Sequence, residues 1–63
     1  MSAGAILKTL RGDRTIREVA GAIGISPSAL AMYENEHRTP RDEVKVKLAD
    51  FYKKSVQDIF FRR

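Results

Sequence analysis

Apolar residues recur at helical spacing in five successive segments, and each segment is opened or stopped by a residue suited to a helix end. Ala3, Ile6, Leu7 and Leu10 form the first stripe, with Ser2 placed to cap it and Gly12 to take the left-handed position just past its end. Ile16, Val19, Ala20 and Ile23 fall at i, i+3, i+4 and i+7 behind a Thr15-x-x-Glu18 capping box, and Gly24 stops the run. Ser26 then caps a third helix with Pro27 in its first turn, where a missing N–H costs nothing. Leu30, Tyr33 and Glu34 mark its inner side, and it runs to about Asn35. Thr39-Pro40-Arg41-Asp42 repeats the arrangement of cap, N1 proline and acidic third residue, and predicts a fourth, longest helix on which Val44, Leu48, Phe51 and Tyr52 share a stripe. Ser55-Val56-Gln57-Asp58 begins a short fifth helix carrying Ile59, Phe60 and Phe61, and no further structure is expected in Arg62-Arg63.

No strand pattern, repeat or long linker interrupts these segments, and every connection is a few residues long. The expectation is an all-α, compact five-helix domain spanning residues 1–63. A chain of 63 residues buries only about 60% of the surface that its unfolded form exposes, so its core has to be economical. With no cysteine there is no disulfide or thiolate zinc site to help, and the stability must come from helix packing. Neither a membrane span nor a signal peptide is legible, so a cytoplasmic location and no membrane partner are expected.

The formal net charge of +4 suits a polyanionic partner, because phosphate neutralisation by Lys and Arg releases condensed counterions. Charge alone is a weak signal, and its placement says more. Glu18, Asp42 and Asp58 stand at the third position of helices 2, 4 and 5, where an acid complements the positive helix end. Helix 3 has Ala29 there. An acid at that point would repel phosphates and base-edge acceptors, so its absence fits a helix whose N-terminus is presented to DNA. An enzyme is not expected. The one histidine, His37, has no triad company, there is no Gly-rich phosphate loop, and the carboxylates are accounted for as helix caps or surface charges. No cofactor is implied, and His37 finds no partners for a metal site.

The spacing of Ala20, Gly24 and Leu30, the strings Gly24-Ile25-Ser26, Tyr33-Glu34-Asn35 and Arg38-Thr39-Pro40, and Ser55-Val56 leading to Ile59-Phe60-Phe61 together resemble the Cro and phage-repressor (Xre-like) type of helix-turn-helix domain. The resemblance runs from about Leu7 to Phe61 and implies a lambda-repressor-like fold with its helix-turn-helix at about residues 15–35. The residues also have a physical reading of their own. Ala20 is small enough for helix 3 to cross helix 2 closely, Gly24 turns the backbone, and Ile25, Leu30 and Tyr33 plug the angle between them. Glu34 lies on the apolar side and needs a partner; the resemblance suggests Arg11, in a pair that fixes helix geometry more than it adds stability. Two positions depart from the family pattern. Glu36 stands where relatives usually have Gly and would carry the left-handed penalty of a residue with a Cβ, unless Asn35 takes that conformation instead. Ile16 stands where relatives often place a phosphate-binding Gln, which leaves that contact to backbone N–H groups and Arg17.

The resemblance implies a sequence-specific regulator of transcription, a repressor in the first instance, that inserts helix 3 (about Pro27–Asn35) into the major groove of double-stranded DNA. Its outward side offers Pro27, Ser28, Ala31 and Met32 as base readers, of which only Ser28 donates a hydrogen bond. Met32 could instead be a core side chain. With no bidentate Arg or Gln contact, specificity would lean on thymine methyls, DNA shape and half-site spacing. Backbone contacts would come from Arg14, Thr15, Arg17 and Ser26 on one side and Asn35, His37, Arg38 and Arg41 on the other, against the alternative that the basic groups are ordinary solvated charges. Lys45, Lys47, Lys53 and Lys54 are expected mostly to face solvent.

A homodimer on a palindromic site, with recognition helices about 34 Å apart, is the expected working unit. Phe60 and Phe61 near the C-terminus are the candidate interface, Phe61 being a surplus aromatic unless it tucks onto helix 1 or 4. With no second domain expected, control would fall to protein concentration, a protein regulator or proteolysis. A protein-interaction module, or the antitoxin of a toxin–antitoxin pair, would use the same fold differently.

Overall fold

Residues 2–61 are described by the computed structural model, and they form five helices with no strand among them: α1 (Ala3–Arg11), α2 (Ile16–Ile23), α3 (Pro27–Glu34), α4 (Asp42–Tyr52) and α5 (Val56–Phe60). Arg62 and Arg63 lie outside the described residues. Short-range chemistry sets most of the boundaries. Ser2, Ser26 and Ser55 each sit in extended backbone and accept the N–H three residues on, from Ala5, Ala29 and Asp58 at 3.2, 3.0 and 3.0 Å. At α2 both halves of the capping box are closed at 3.1 Å, Glu18 N–H to the Thr15 hydroxyl and Thr15 N–H to the Glu18 carboxylate.

Gly24 ends α2 in the left-handed region (φ 78°, ψ 32°), and the next N–H, from Ile25, reaches back to Ala20 O at 3.0 Å. The end of α1 differs from the expected left-handed cap. Gly12 has φ 57° but ψ −125°, a mirror-extended shape open chiefly to glycine, while its N–H still bonds Lys8 O and Arg14 N–H closes the turn onto Arg11 O.

The start of α4 also departs from the sequence reading. The helix opens at Asp42 rather than Pro40, Arg41 is its N-cap without a side-chain cap bond, and Asp42 and Glu43 supply the first-turn acids. Pro40 is buried outside the helix, in the wall of a groove shared with Leu7, Tyr33 and Phe60. The apolar ring is thus used for packing instead of for helix initiation. At its other end α4 closes without glycine: Lys53 takes the left-handed conformation (φ 57°, ψ 44°) and Lys54 N–H bonds Ala49 O at 2.9 Å.

Every helix contributes at least one side chain that is essentially out of solvent: Leu7, Val19 with Ala20, Leu30, Leu48 and Ile59. α1 packs on α3 and α5, α2 on α3 and α4, and α4 on α5, so one apolar cluster joins all five. The closest backbone approach involves Gly4. A Cβ on that buried residue would stand 2.9 Å from Tyr33 O and 2.7 Å from Glu36 Oε2, and closer still to Glu34 O. α1 can therefore cross the C-terminal end of α3 only because Gly4 has no side chain.

Tyr52 packs edge-on against Phe51, ring centroids 5.1 Å apart, and its hydroxyl is buried without a hydrogen-bond partner among the described residues. Burial, with the Glu34 charge adding to it, pushes that phenol above its ordinary pKa. An unpaired buried hydroxyl opposes folding, so Tyr52→Phe should leave the unfolding free energy from chemical denaturation unchanged or raise it by up to about 1 kcal/mol.

Candidate nucleic-acid interface

α2 and α3 meet at Ala20 and Leu30, both fully buried, with Ile25 and Tyr33 half-buried beside them. The small Ala20 lets the two helices come close, and the turn Gly24-Ile25-Ser26 joins them. This packing decides which side of α3 remains outside. Pro27 and Ser28 are exposed, Met32 is 42% exposed, and Ala31 is half-buried. Met32 is therefore not a core residue. The first turn of α3 carries no acid, and Ser26 uses its hydroxyl to cap Ala29, which leaves Ser28 as the hydroxyl free at that end.

α3 is held at its far end by an ion pair. Arg11 reaches from the last turn of α1 and forks onto Glu34, Nε to Oε2 at 2.8 Å and Nη2 to Oε1 at 3.1 Å, while Nη1 donates to Arg14 O at 2.8 Å. The Glu34 side chain is 2% exposed and that of Arg11 19%, and the bonds to Glu34 raise the already high pKa of Arg11.

The basic residues around α3 fall into two groups. Arg17, His37, Arg38 and Arg41 are exposed, and none makes an ion pair among the described residues. Arg38 and Arg41 are brought together with Thr39 and Tyr33 around a shallow groove of about 290 Å³, which Glu43 also borders. Arg14 is placed differently. Its guanidinium lies 5.5 Å from the Phe51 ring centroid and donates to Leu10 O at 3.3 Å, so it is partly committed to its own fold. Thr15 and Ser26 have their hydroxyls engaged in helix caps, and Asn35 Oδ1 accepts from Lys8 Nζ at 3.5 Å.

At the C-terminal end Phe60 is half-buried against the core and Phe61 is 58% exposed. The lysines of α4 and its exit mostly face solvent as expected, and Lys45 is the exception. Lys47, Lys53 and Lys54 are exposed, but the Lys45 side chain is only 14% exposed, with its ammonium 5.7 Å from the Phe60 centroid and 5.0 Å from that of Phe61. Helical spacing carried part of this signal, since Lys45 stands three and four residues before the buried Leu48 and Ala49, but its place against two phenylalanine rings is set by tertiary packing. Glu36 was legible only as a departure from a pattern. It, and not Asn35, is the left-handed residue after α3, at φ 63° against −93° for Asn35.

A family model described as helix-turn-helix matches residues 7–59, from the second turn of α1 into α5. No curated protein matches the chain. No helix among the described residues is long and apolar enough to cross a membrane, and no group of three or more potential metal ligands occurs among them.

Removing Arg11 would leave the Glu34 carboxylate buried without its partner. Arg11→Met is expected to cost about 3 kcal/mol in urea denaturation, and adding Glu34→Leu should recover most of that loss.

Proposed function

The chain belongs to the Cro/C1-type helix-turn-helix family of DNA-binding regulators, and on that premise we propose that it is a repressor whose α3 enters the major groove as one half of a symmetric dimer. The observation that carries this reading is the outer side of α3: an exposed, acid-free first turn with small side chains, flanked in the chain by arginines that make no ion pair among the described residues. Pro27, Ser28, Ala31 and Met32 are the base readers. Ser28 supplies the one polar contact, and the other three pack on thymine methyls. Ala31 is half-buried, so it reads by close approach of the helix rather than by reach.

Arg17, Arg38 and Arg41 neutralise phosphates and His37 hydrogen-bonds to the DNA backbone, assisted by Thr15, Ser26 and Asn35 through groups not used in their caps. Arg14 contributes least, because Phe51 and Leu10 O already hold its guanidinium. All of residues 1–63 act as one DNA-binding domain. The dimer contact uses the Phe60-Phe61 end of α5, where Phe61 offers an exposed ring, and palindromic half-sites are read about 34 Å apart. Occupied operators block access of other proteins to the same DNA, which is the basis of repression.

Selection from a random duplex pool at two salt concentrations should enrich a palindrome rich in thymine at the half-sites, with steep loss of binding as salt rises. A strong guanine requirement that disappears on Ser28→Ala would contradict the reading of α3, and no enrichment at low salt would favour a protein-interaction module. On the selected site, Arg38→Ala and Arg41→Ala should each lower the salt slope by about one, whereas Arg14→Ala should change it less.

A further inference from the structure

Three features meet at the N-terminus of α1. Glu36 holds a left-handed backbone (φ 63°) that a residue with a Cβ rarely adopts. Its Oε2 accepts the Gly4 N–H at 2.6 Å, across 32 positions of sequence. The first turn of α1 has no acid of its own, so the Glu36 carboxylate takes the place that Glu18, Asp42 and Asp58 fill within their own helices. The left-handed turn is what aims it there. Glu36 N–H bonds Tyr33 O, His37 N–H bonds Met32 O at 2.9 Å, and the chain reverses with the Glu36 side chain directed at Gly4. The Ser2 hydroxyl and then the Gly4 amide lower the pKa of this carboxyl from its ordinary value, favouring the charged form.

We propose that Glu36 is a positioning residue for DNA binding: seated on the N-terminus of α1, its carboxylate is kept away from the phosphates that pass the C-terminal end of α3. The proposal rests on the reading of α3 as the helix that enters the groove. Glu36 lies between Asn35 and His37, beside the cations assigned to the DNA backbone, so a carboxylate swung free at that point would repel the same phosphates they attract. The α1 N-terminus is thus a parking site for one negative charge, and affinity for DNA depends on it only while residue 36 carries that charge.

The test is a mutant cycle read by binding to a short mixed-sequence DNA duplex at low and high salt, with Gly4 amide exchange followed alongside. Asp caps a helix as well as Ser, so Ser2→Asp keeps the α1 cap but sets a like charge against Glu36. Ser2→Asp should speed Gly4 exchange and weaken binding about threefold at low salt, with the loss fading as salt screens it. Glu36→Gly should bind within about twofold of wild type, and in that background Ser2→Asp should have no further effect. Glu36→Gln, which is isosteric but uncharged and so holds the Gly4 N–H less strongly, should speed Gly4 exchange without weakening binding. Equal loss from Ser2→Asp in both backgrounds, or weakened binding by Glu36→Gln, would overturn the role of Glu36 while leaving the DNA reading standing. Wild-type protein that binds no duplex at low salt would overturn the DNA reading itself.

Discussion

The fork of Arg11 onto Glu34 is the constraint on which the rest of the arrangement depends. α3 is short and fully buries only two of its residues, Leu30 and Glu34. A helix that presents Pro27, Ser28 and Met32 outward has few apolar side chains left with which to grip the core. Leu30 supplies the hydrophobic anchor near the middle, and the ion pair supplies the second near the end. Two points of attachment define a direction where one would leave the helix free to swivel. A buried ion pair adds little net stability over a well-packed apolar pair, but its fork geometry admits few orientations. Arg11 also donates to Arg14 O, so the same guanidinium ties the α1–α2 connection to the far end of α3.

Charge is distributed in keeping with that frame. Acids occupy helix N-termini, either from within the helix, as Glu18 and Asp58 do, or through space, as Glu36 does for α1. The N-terminus of α3 is left without one. Cations that have structural employment, Arg11, Arg14 and Lys45, are paired or lie over aromatic rings, while Arg17, Arg38 and Arg41, with His37, remain exposed on either side of α3 in the chain. The net charge of +4 thus understates the local asymmetry. What matters for a polyanion is which cations are uncommitted, and those lie on either side of α3 in the chain.

Features governed by neighbours in the chain were legible before the structure. The caps at Ser2, Thr15, Ser26 and Ser55 depend on a bond three residues away, and the helical stripes on a fixed period, so local chemistry was enough to place the five helices. Features whose reward is distant were not. Pro40 reads as an N1 proline, yet its ring is worth more against Tyr33 and Phe60 than at a helix start. Lys45 shares a helix side with Leu48 and Ala49 by spacing, but only the fold brings the rings of Phe60 and Phe61 to its ammonium. Glu36 looks like a misplaced glycine until Gly4 is seen to receive its carboxylate. For the candidate interface, spacing was enough to place Pro27, Ser28 and Met32 outward, while the half-burial of Ala31 and the commitment of Arg14 to Phe51 needed the folded chain.

The central claim is that one side of this molecule, built around the outer surface of α3, meets DNA. Following the backbone amides of the labelled protein by NMR as a duplex carrying the selected site is added tests it most directly. The account predicts that the large shifts gather at Thr15–Arg17, Ser26–Met32 and His37–Arg41, with the exposed face of α4 around Val46 and Asp50 little changed. Large shifts on that α4 face, with Ser28 and Met32 undisturbed, would contradict it.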